Sequence, residues 1–296
     1  METTTNHILD TGNRILLAGC GGIGRPLALQ LAQHHQVWAL ARHPETLPQM
    51  IQYLQGDVCD LQSLIKVVPD HIDYLVVCLS AGEFSDTAYR QIYVEGLKNL
   101  LEALQRRGTR LKRLFFVSST SVYHQNNNEW VDETSATHPD SFSGLRMLEA
   151  EQVALNAPWP ATIVRFSGIY GGTRTRLLNQ VKAGVRSPSG DAFTNRIHEK
   201  DCVGVLAHLL KLDMTGKPVE NCYLASDCQP VQMNTLETWL AQTLDCELSP
   251  PETLARANSI RRAGSKRCRN KRLLDSGYQF QYPDFKAGYQ EMIALC

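Results

Sequence analysis

Residues 14–33 read RILLAGCGGIGRPLALQLAQ, and the order of residue types in this stretch decides the fold. Arg14 to Ala18 is a short apolar run with the composition of a buried strand, and Arg25 to His34 carries leucine and alanine at helical spacing. Between them lies Gly19-Cys20-Gly21-Gly22-Ile23-Gly24, a G-x-G-x-x-G loop. Set between a strand and a helix, this spacing suits a dinucleotide pyrophosphate. Gly19 allows the tight turn, Gly21 lets backbone approach phosphate, Gly24 permits the helix to pack on the strand, and the helix N-terminus offers unpaired N–H groups. A plain turn would explain the glycines alone; the flanking elements favour the dinucleotide.

The pattern continues outward as strand and helix in alternation. Gln36 to Ala41 (QVWALA), Tyr74 to Leu79 (YLVVCL), Arg113 to Val117 (RLFFV) and Ala161 to Phe166 read as strands, with a third short strand ending at Gln55-Gly56-Asp57. Leu61 to Val67 and Tyr89 to Arg106 read as helices, the latter from Leu97, Leu100, Leu101 and Leu104. The expected class is α/β, a doubly wound parallel sheet. Beyond Phe166 the alternation fades, so residues 1–170 are expected to form the dinucleotide domain and residues 171–296 a smaller substrate lobe. Helices are expected there at Cys202 to Leu212 and Leu236 to Leu244, and the approximate boundary leaves room for some elements of this half to rejoin the sheet.

An NAD site commonly places a carboxylate at the end of the second strand to bind the ribose 2′-hydroxyl. Here that strand runs out as Ala41-Arg42-His43. An arginine can pair with a 2′-phosphate, which favours NADP over NAD, although a solvated arginine is the plainer alternative. Asp57 could bond the adenine amino group or merely begin a turn.

Bulk properties exclude several classes. Lys plus Arg and Asp plus Glu number 30 each in 296 residues, so no overall field recruits nucleic acid or an anionic membrane. The opening METTTNHILD lacks the charge and apolar run of a signal peptide, and no apolar stretch is long enough for a membrane span, which predicts a cytoplasmic protein. Nine cysteines are scattered without a C-x-x-C pair, and read as reduced thiols with no metal site.

At Phe116-Val117-Ser118-Ser119-Thr120-Ser121-Val122-Tyr123 the chain resembles the extended and atypical short-chain dehydrogenase/reductases, the NAD-dependent epimerase/dehydratase group. The resemblance is also carried by the glycine loop, Gly56-Asp57-Val58, Tyr93 to Leu100, Arg165-Phe166-Ser167-Gly168-Ile169-Tyr170-Gly171, Asn195-Arg196-Ile197-His198 with Asp201, and Asn270-Lys271-Arg272-Leu273. It implies a Rossmann domain holding NAD(H) or NADP(H), and a C-terminal lobe that selects a substrate, often a nucleotide sugar. It also implies a catalytic Tyr, a Lys that lowers its pKa, and a Ser or Thr on the reacting oxygen. Ser119 matches the last of these. Phe142 and Arg146 fall on the Tyr and Lys positions; phenylalanine carries no proton, and arginine is a poor replacement for the ammonium. Tyr93 stands where the group often has an Asn of a proton relay.

These readings assign Gly19, Gly21, Gly22, Ile23, Gly24, Arg42, Asp57, Ser80 and Arg146 to the cofactor, and Ser119, Tyr123 and Arg146 to catalysis. Tyr123 is the first alternative proton donor, against a packed aromatic. His198 is the second, against a structural role with Asp201; His124 and Glu83 come third. Tyr170, Arg174, Arg176, Arg196 and His198 are assigned to the substrate. Arg261 to Arg272 holds seven basic residues in twelve, and reads as a solvated face or as a clamp for an anionic small molecule, with no interleaved aromatics for base stacking. The expected function is an NADP-preferring oxidoreductase or epimerase acting on a sugar-like or anionic small molecule. Its rivals are a cofactor-binding sensor that has lost the reaction, and a glycine-loop protein that binds no dinucleotide. Phe142–Leu155 reads as a helix capped by Ser141 or Ser143, with Leu145, Leu148 and Val153 packed against the core, and a homodimer through it and Tyr89–Arg106 would follow the superfamily's habit.

Overall fold

The computed structural model describes residues 12–43, 48–188, 190–250 and 264–295. In chain order the strands are β1 (Arg14–Ala18), β2 (Gln36–Ala41), β3 (Ile51–Gln55), β4 (Tyr74–Val77), β5 (Arg113–Ser119), β6 (Glu129–Val131), β7 (Ala161–Phe166), β8 (Gly168–Tyr170), β9 (Phe193–Thr194), β10 (Arg196–His198), β11 (Cys222–Ala225), β12 (Val231–Gln232) and β13 (Lys266–Cys268). The helices are α1 (Gly24–Leu31), α2 (Leu61–Val67), α3 (Asp86–Tyr89), α4 (Gly96–Arg106), α5 (Phe142–Leu155), α6 (Arg176–Lys182), α7 (Glu199–Met214), α8 (Met233–Thr243), α9 (Lys271–Asp275) and α10 (Phe285–Ala294).

Seven strands form one parallel sheet in the order β11-β7-β5-β4-β1-β2-β3. The chain winds from β1 toward β3, then starts again at β4 on the other side of β1. Parallel strands buried on both faces need apolar residues throughout, and β4 and β7 are buried along their whole length. Helices α2, α4 and α5 cover one face, with Leu97, Leu100 and Leu104 against Leu75, Leu114 and Phe116. Helices α1 and α7 cover the other, with Leu27 and Leu206 among the residues packed about Ile15, Leu17 and Val76. A third core joins α6, α8 and α10 around Tyr170, Leu236 and Phe285.

Elements from beyond Gly171 return to the sheet. Strand β11 pairs with β7, and α7 lies on the sheet, so both elements from beyond Gly171 complete the first half's layers. The free edge at β11 is met by side chains instead of another strand: Leu224 N–H donates to Glu133 Oε1 at 2.8 Å, and Arg272 Nη1 donates to the Cys222 carbonyl at 2.9 Å.

Two other expectations change in detail. The helix predicted over Tyr89–Arg106 begins at Asp86 and passes through a π-helical stretch, Arg90–Glu95, before α4. That widened turn carries Tyr93, whose hydroxyl accepts from Ala81 N–H at 3.2 Å. Helix α5 has the predicted bounds because Ser141 caps it, accepting from Gly144 N–H at 3.2 Å. Leu145, expected to pack inward, is instead 50% exposed; Met147, Ala150 and Ala154 make the buried face.

Candidate functional site

The sheet's winding reverses between β1 and β4, and the crevice outside the carboxyl ends of such strands is where doubly wound sheets take ligands. The glycine loop stands there. Gly19 has φ +97°, and a Cβ on it would lie 2.4 Å from the Cys78 carbonyl oxygen just past β4. A Cβ on Gly24 would lie 2.0 Å from the Gly19 carbonyl oxygen, so α1 touches the turn directly. Gly21 has nothing within 4 Å of its Cβ position. Two glycines thus close the turn, and the third leaves backbone open where a phosphate would approach. The first turn of α1 holds no acidic residue to oppose an anion. A dinucleotide pyrophosphate fits this arrangement.

Around it, Arg42 is exposed at the end of β2, and Ser80 is exposed just past β4. Asp57 lies between β3 and α2 with Oδ1 accepting from Cys59 N–H at 2.9 Å, the local bond of a turn. Cys78 borders the loop, and burial pushes its thiol up to about 12, far from a reactive thiolate.

At the end of β5, Ser119 Oγ accepts from Ser121 N–H at 3.1 Å and caps the turn Thr120–Val122. Helix α5 presses on this turn so closely that a Cβ on Gly144 would lie 2.3 Å from the Ser121 carbonyl oxygen. Phe142, the first residue of α5, lies 4.8 Å from the Phe84 ring and 5.5 Å from that of Tyr89, centroid to centroid. Arg146, one turn later, is occupied. Its Nε and Nη2 donate to both oxygens of Asp86 at 2.8 and 3.0 Å, and Nη1 donates to Glu149 at 2.8 Å. These bonds hold the Asp86 carboxyl below its ordinary pKa, Arg146 itself being the cause. The expected ribose-binding cation therefore has all three guanidinium nitrogens bonded to carboxylates.

Tyr123, expected to face a substrate, is 4% exposed. Its hydroxyl donates to the Asp132 carbonyl at 2.8 Å and accepts from Arg165 Nη1 at 3.0 Å. Burial raises its pKa, and Arg165 only partly opposes the rise. This is the setting of a structural phenol. Arg165 in turn holds Glu151, which also accepts from Ser118 Oγ at 2.5 Å. Sequence reasoning passed over Glu151 and Arg165 because nothing in their local spacing links them.

The residues assigned to the substrate separate. Tyr170 is 1% exposed, stacked on Tyr289 at 4.6 Å, and belongs to the lobe's core. His198 is equally buried and caps α7, its Nδ1 accepting from Lys200 N–H at 3.3 Å; burial lowers its pKa. Asp201 accepts from Tyr278 Oη and from Gln281 and Tyr282 N–H at 2.8, 2.8 and 2.9 Å, anchoring the C-terminal segment. Arg196 is half-buried beside Met233 Sδ, with a buried Nε that finds no partner. Arg176 is exposed at the start of α6. Arg174 is the exception in place: its guanidinium reaches back to the glycine loop, with Nη1 and Nη2 at 3.1 and 3.2 Å from the Cβ position of Gly22.

Of the basic run, Arg261 and Arg262 lie outside the described residues. Lys266 is buried in β13, Arg267 and Arg269 stand 4.8 and 5.4 Å from the Trp130 ring centre, and Arg272 braces β11. The aromatic that sequence reading missed comes from β6, which pairs with β13. Among the described residues, no three His, Cys, Asp or Glu side chains gather as a metal site, and no helix is long and apolar enough to cross a membrane.

Three kinds of likeness accompany this geometry. A family model described as NAD(P)H-binding matches residues 19–211. A protein from Methylobacillus flagellatus described as an NAD-dependent epimerase/dehydratase superposes with a TM-score of 0.81 at 38% identity, over 96% of this chain and 99% of that one. Protein YeeZ of Escherichia coli strain K12 is 26% identical over 288 residues, 92% of this chain and 97% of its own length. The Bordetella bronchiseptica enzyme WbmG, solved with NAD and UDP, shares the fold with a TM-score of 0.74 at 17% identity, over 96% of this chain and 94% of that one.

Proposed function

This chain belongs to the NAD(P)H-binding family of epimerase/dehydratase type, and we propose that it is an NADP-preferring oxidoreductase or epimerase acting on a sugar-like, anionic small molecule. The observation that carries the reading is the glycine loop: closed at Gly19 and Gly24, open at Gly21, at the reversal point of the sheet. Bound there, the dinucleotide would supply the hydride donor or acceptor. Gly21, Gly22 and Ile23 would hold its pyrophosphate through backbone N–H groups, and exposed Arg42 would meet a 2′-phosphate. Ser119, at the end of β5, would donate its hydroxyl to the reacting oxygen while accepting from Ser121. An anionic substrate, such as a nucleotide sugar, is supported by WbmG's complex with UDP and by Arg267 and exposed Arg269, on β13 and just beyond it.

A second reading, a dinucleotide-binding sensor, is favoured by one observation. The position expected of the proton donor is Phe142 inside an aromatic cluster, and the cation expected beside it is tied to Asp86.

Calorimetric titration with NADPH and NADH tests the common ground. Saturable binding, tighter for NADPH, is expected, with about 2.7 kcal/mol of added stability at a hundredfold excess over Kd. Absence of binding by either cofactor defeats both readings, and equal affinities defeat the NADP preference. Arg42→Ala should weaken NADPH about tenfold and leave NADH unchanged. Hydride exchange over a panel of uronates, nucleotide sugars and simple carbonyls then separates the enzyme from the sensor.

A further inference from the structure

Arg174 belongs to the second half of the chain, yet its guanidinium lies on the glycine loop against Gly22. The turn after β8 puts it there. Gly171 has φ +103° and Gly172 φ +54°, and Arg174 N–H donates back to the Gly171 carbonyl at 3.0 Å. The side chain then runs to Glu199, the first residue of α7, with Nη1 to Oε2 at 2.5 Å. No other group among the described residues takes its remaining N–H donors. A guanidinium is electrostatically misplaced at the positive end of a helix, and α1 begins two residues after Gly22 with no acidic side chain in its first turn. An anion lying between the two would remove the conflict, because helix N–H groups and guanidinium would both point at it.

We infer that Arg174 is a ligand of the dinucleotide pyrophosphate, reaching across from the substrate half, and that Glu199 positions it. This rests on the dinucleotide reading above. Nη1 keeps its bond to Glu199 while Nη2, 3.2 Å from the Cβ position of Gly22, donates to a phosphate oxygen. The glycine loop then has a closing side supplied about 150 residues further along the chain, so cofactor binding ties the lobe turn at Gly171–Arg174 to α1.

The test is the dissociation constant of NADPH and NADH, by calorimetry, for the intact chain and for Arg174→Ala, Arg174→Lys and Lys182→Ala. Lys182 is an exposed cation at the end of α6, away from the loop. Arg174→Ala is expected to weaken both cofactors about tenfold or more, as for a lost charge-assisted bond, with Arg174→Lys between the two and Lys182→Ala unchanged. Arg174→Ala should also flatten the dependence of affinity on salt. Glu199→Gln is expected to weaken binding severalfold in the native background and to add nothing in the Arg174→Ala background. Native protein that binds while Arg174→Ala binds equally well overturns the assignment, as does an equal loss with Lys182→Ala. A Glu199→Gln effect that persists without Arg174 overturns the positioning role. If the native chain binds neither cofactor, the dinucleotide reading itself has failed. Thermal midpoints of the variants within a few degrees of the native protein exclude misfolding; should Arg174→Ala unfold, Arg174→Lys decides.

Discussion

Arg165 on β7 and Glu151 on α5 meet in a two-point contact inside the protein, Nε to Oε1 at 2.9 Å and Nη2 to Oε2 at 2.6 Å, where Glu151 is 1% exposed. Burial alone would make the guanidinium easier to deprotonate, but the carboxylate reverses that and holds its pKa up. Ser118 and Tyr123 complete the set, so the contact locks α5 to β5 and β7 and fixes the turn that follows Ser119.

Breaking one partner should leave the other charge buried and unmatched. Glu151→Gln or Arg165→Met is expected to cost about 3–5 kcal/mol in urea unfolding. The paired change Glu151→Leu with Arg165→Met should cost less than the worse single change, because no unpaired charge then remains. A double variant as unstable as the sum of the singles would show that the pair matters through shape alone.

The glycine loop separates folding from binding. Gly24→Ala would drive a methyl group to 2.0 Å from backbone oxygen and is expected to lower the melting temperature severely or prevent folding. Gly21→Ala meets nothing within 4 Å, so the variant should fold with nearly native stability yet bind NADPH at least about tenfold more weakly, its methyl occupying the phosphate's approach. Native affinity in folded Gly21→Ala would place the pyrophosphate elsewhere.

What the sequence made legible, and what it did not, divides by distance along the chain. The strand, turn and helix of residues 14–31 and the bounds of α5 follow from local signals: apolar period, glycine spacing and the Ser141 cap. The partners of Arg174, Arg165 and Trp130 do not, because each is brought in by packing of a distant element. The exposure of Leu145 has a related cause. The face of α5 that turns inward is set by the close approach at Gly144 and by buried Glu151, a charged residue that periodicity counts as outward. Tyr123 and His198 suit proton transfer by residue type, but distant elements bury both and hold them in structural bonds, which residue type does not carry.

Phe142→Tyr is the substitution that addresses the missing phenol. Its ring already sits against Phe84 and Tyr89, so the change should alter stability by less than about 1 kcal/mol. Alone it should raise carbonyl reduction little, because Arg146 is bound to Asp86 and Glu149 and no ammonium lowers the new phenol's pKa. Combined with Arg146→Lys, turnover measured by NADPH oxidation is expected to rise by about a hundredfold or more, the usual yield of a positioned acid. A large gain from Phe142→Tyr alone would mean that another cation serves the site.

Asp227 gives a pH dependence with a defined sign. It is 1% exposed, its Oδ1 accepts from Gln229 N–H at 3.2 Å, and its Oδ2 is buried without a hydrogen-bond partner. Burial pushes its carboxyl up to about 8, against the pull of Arg196 and with repulsion from Asp284 and Asp201 adding to the rise. The folded protein thus keeps this proton to about pH 8, while the unfolded chain releases it near the ordinary 3.8. Stability from this group is greatest below pH 3.8 and is lost progressively up to about pH 8, at no more than about 1.4 kcal/mol per pH unit. Asp227→Asn keeps the bond to Gln229 and removes the titration. Its melting temperature relative to the native protein should therefore climb between pH 5 and pH 8 and level off above. A constant difference across that range would show that Asp227 ionises normally in the folded state, with Arg196 as its counter-ion.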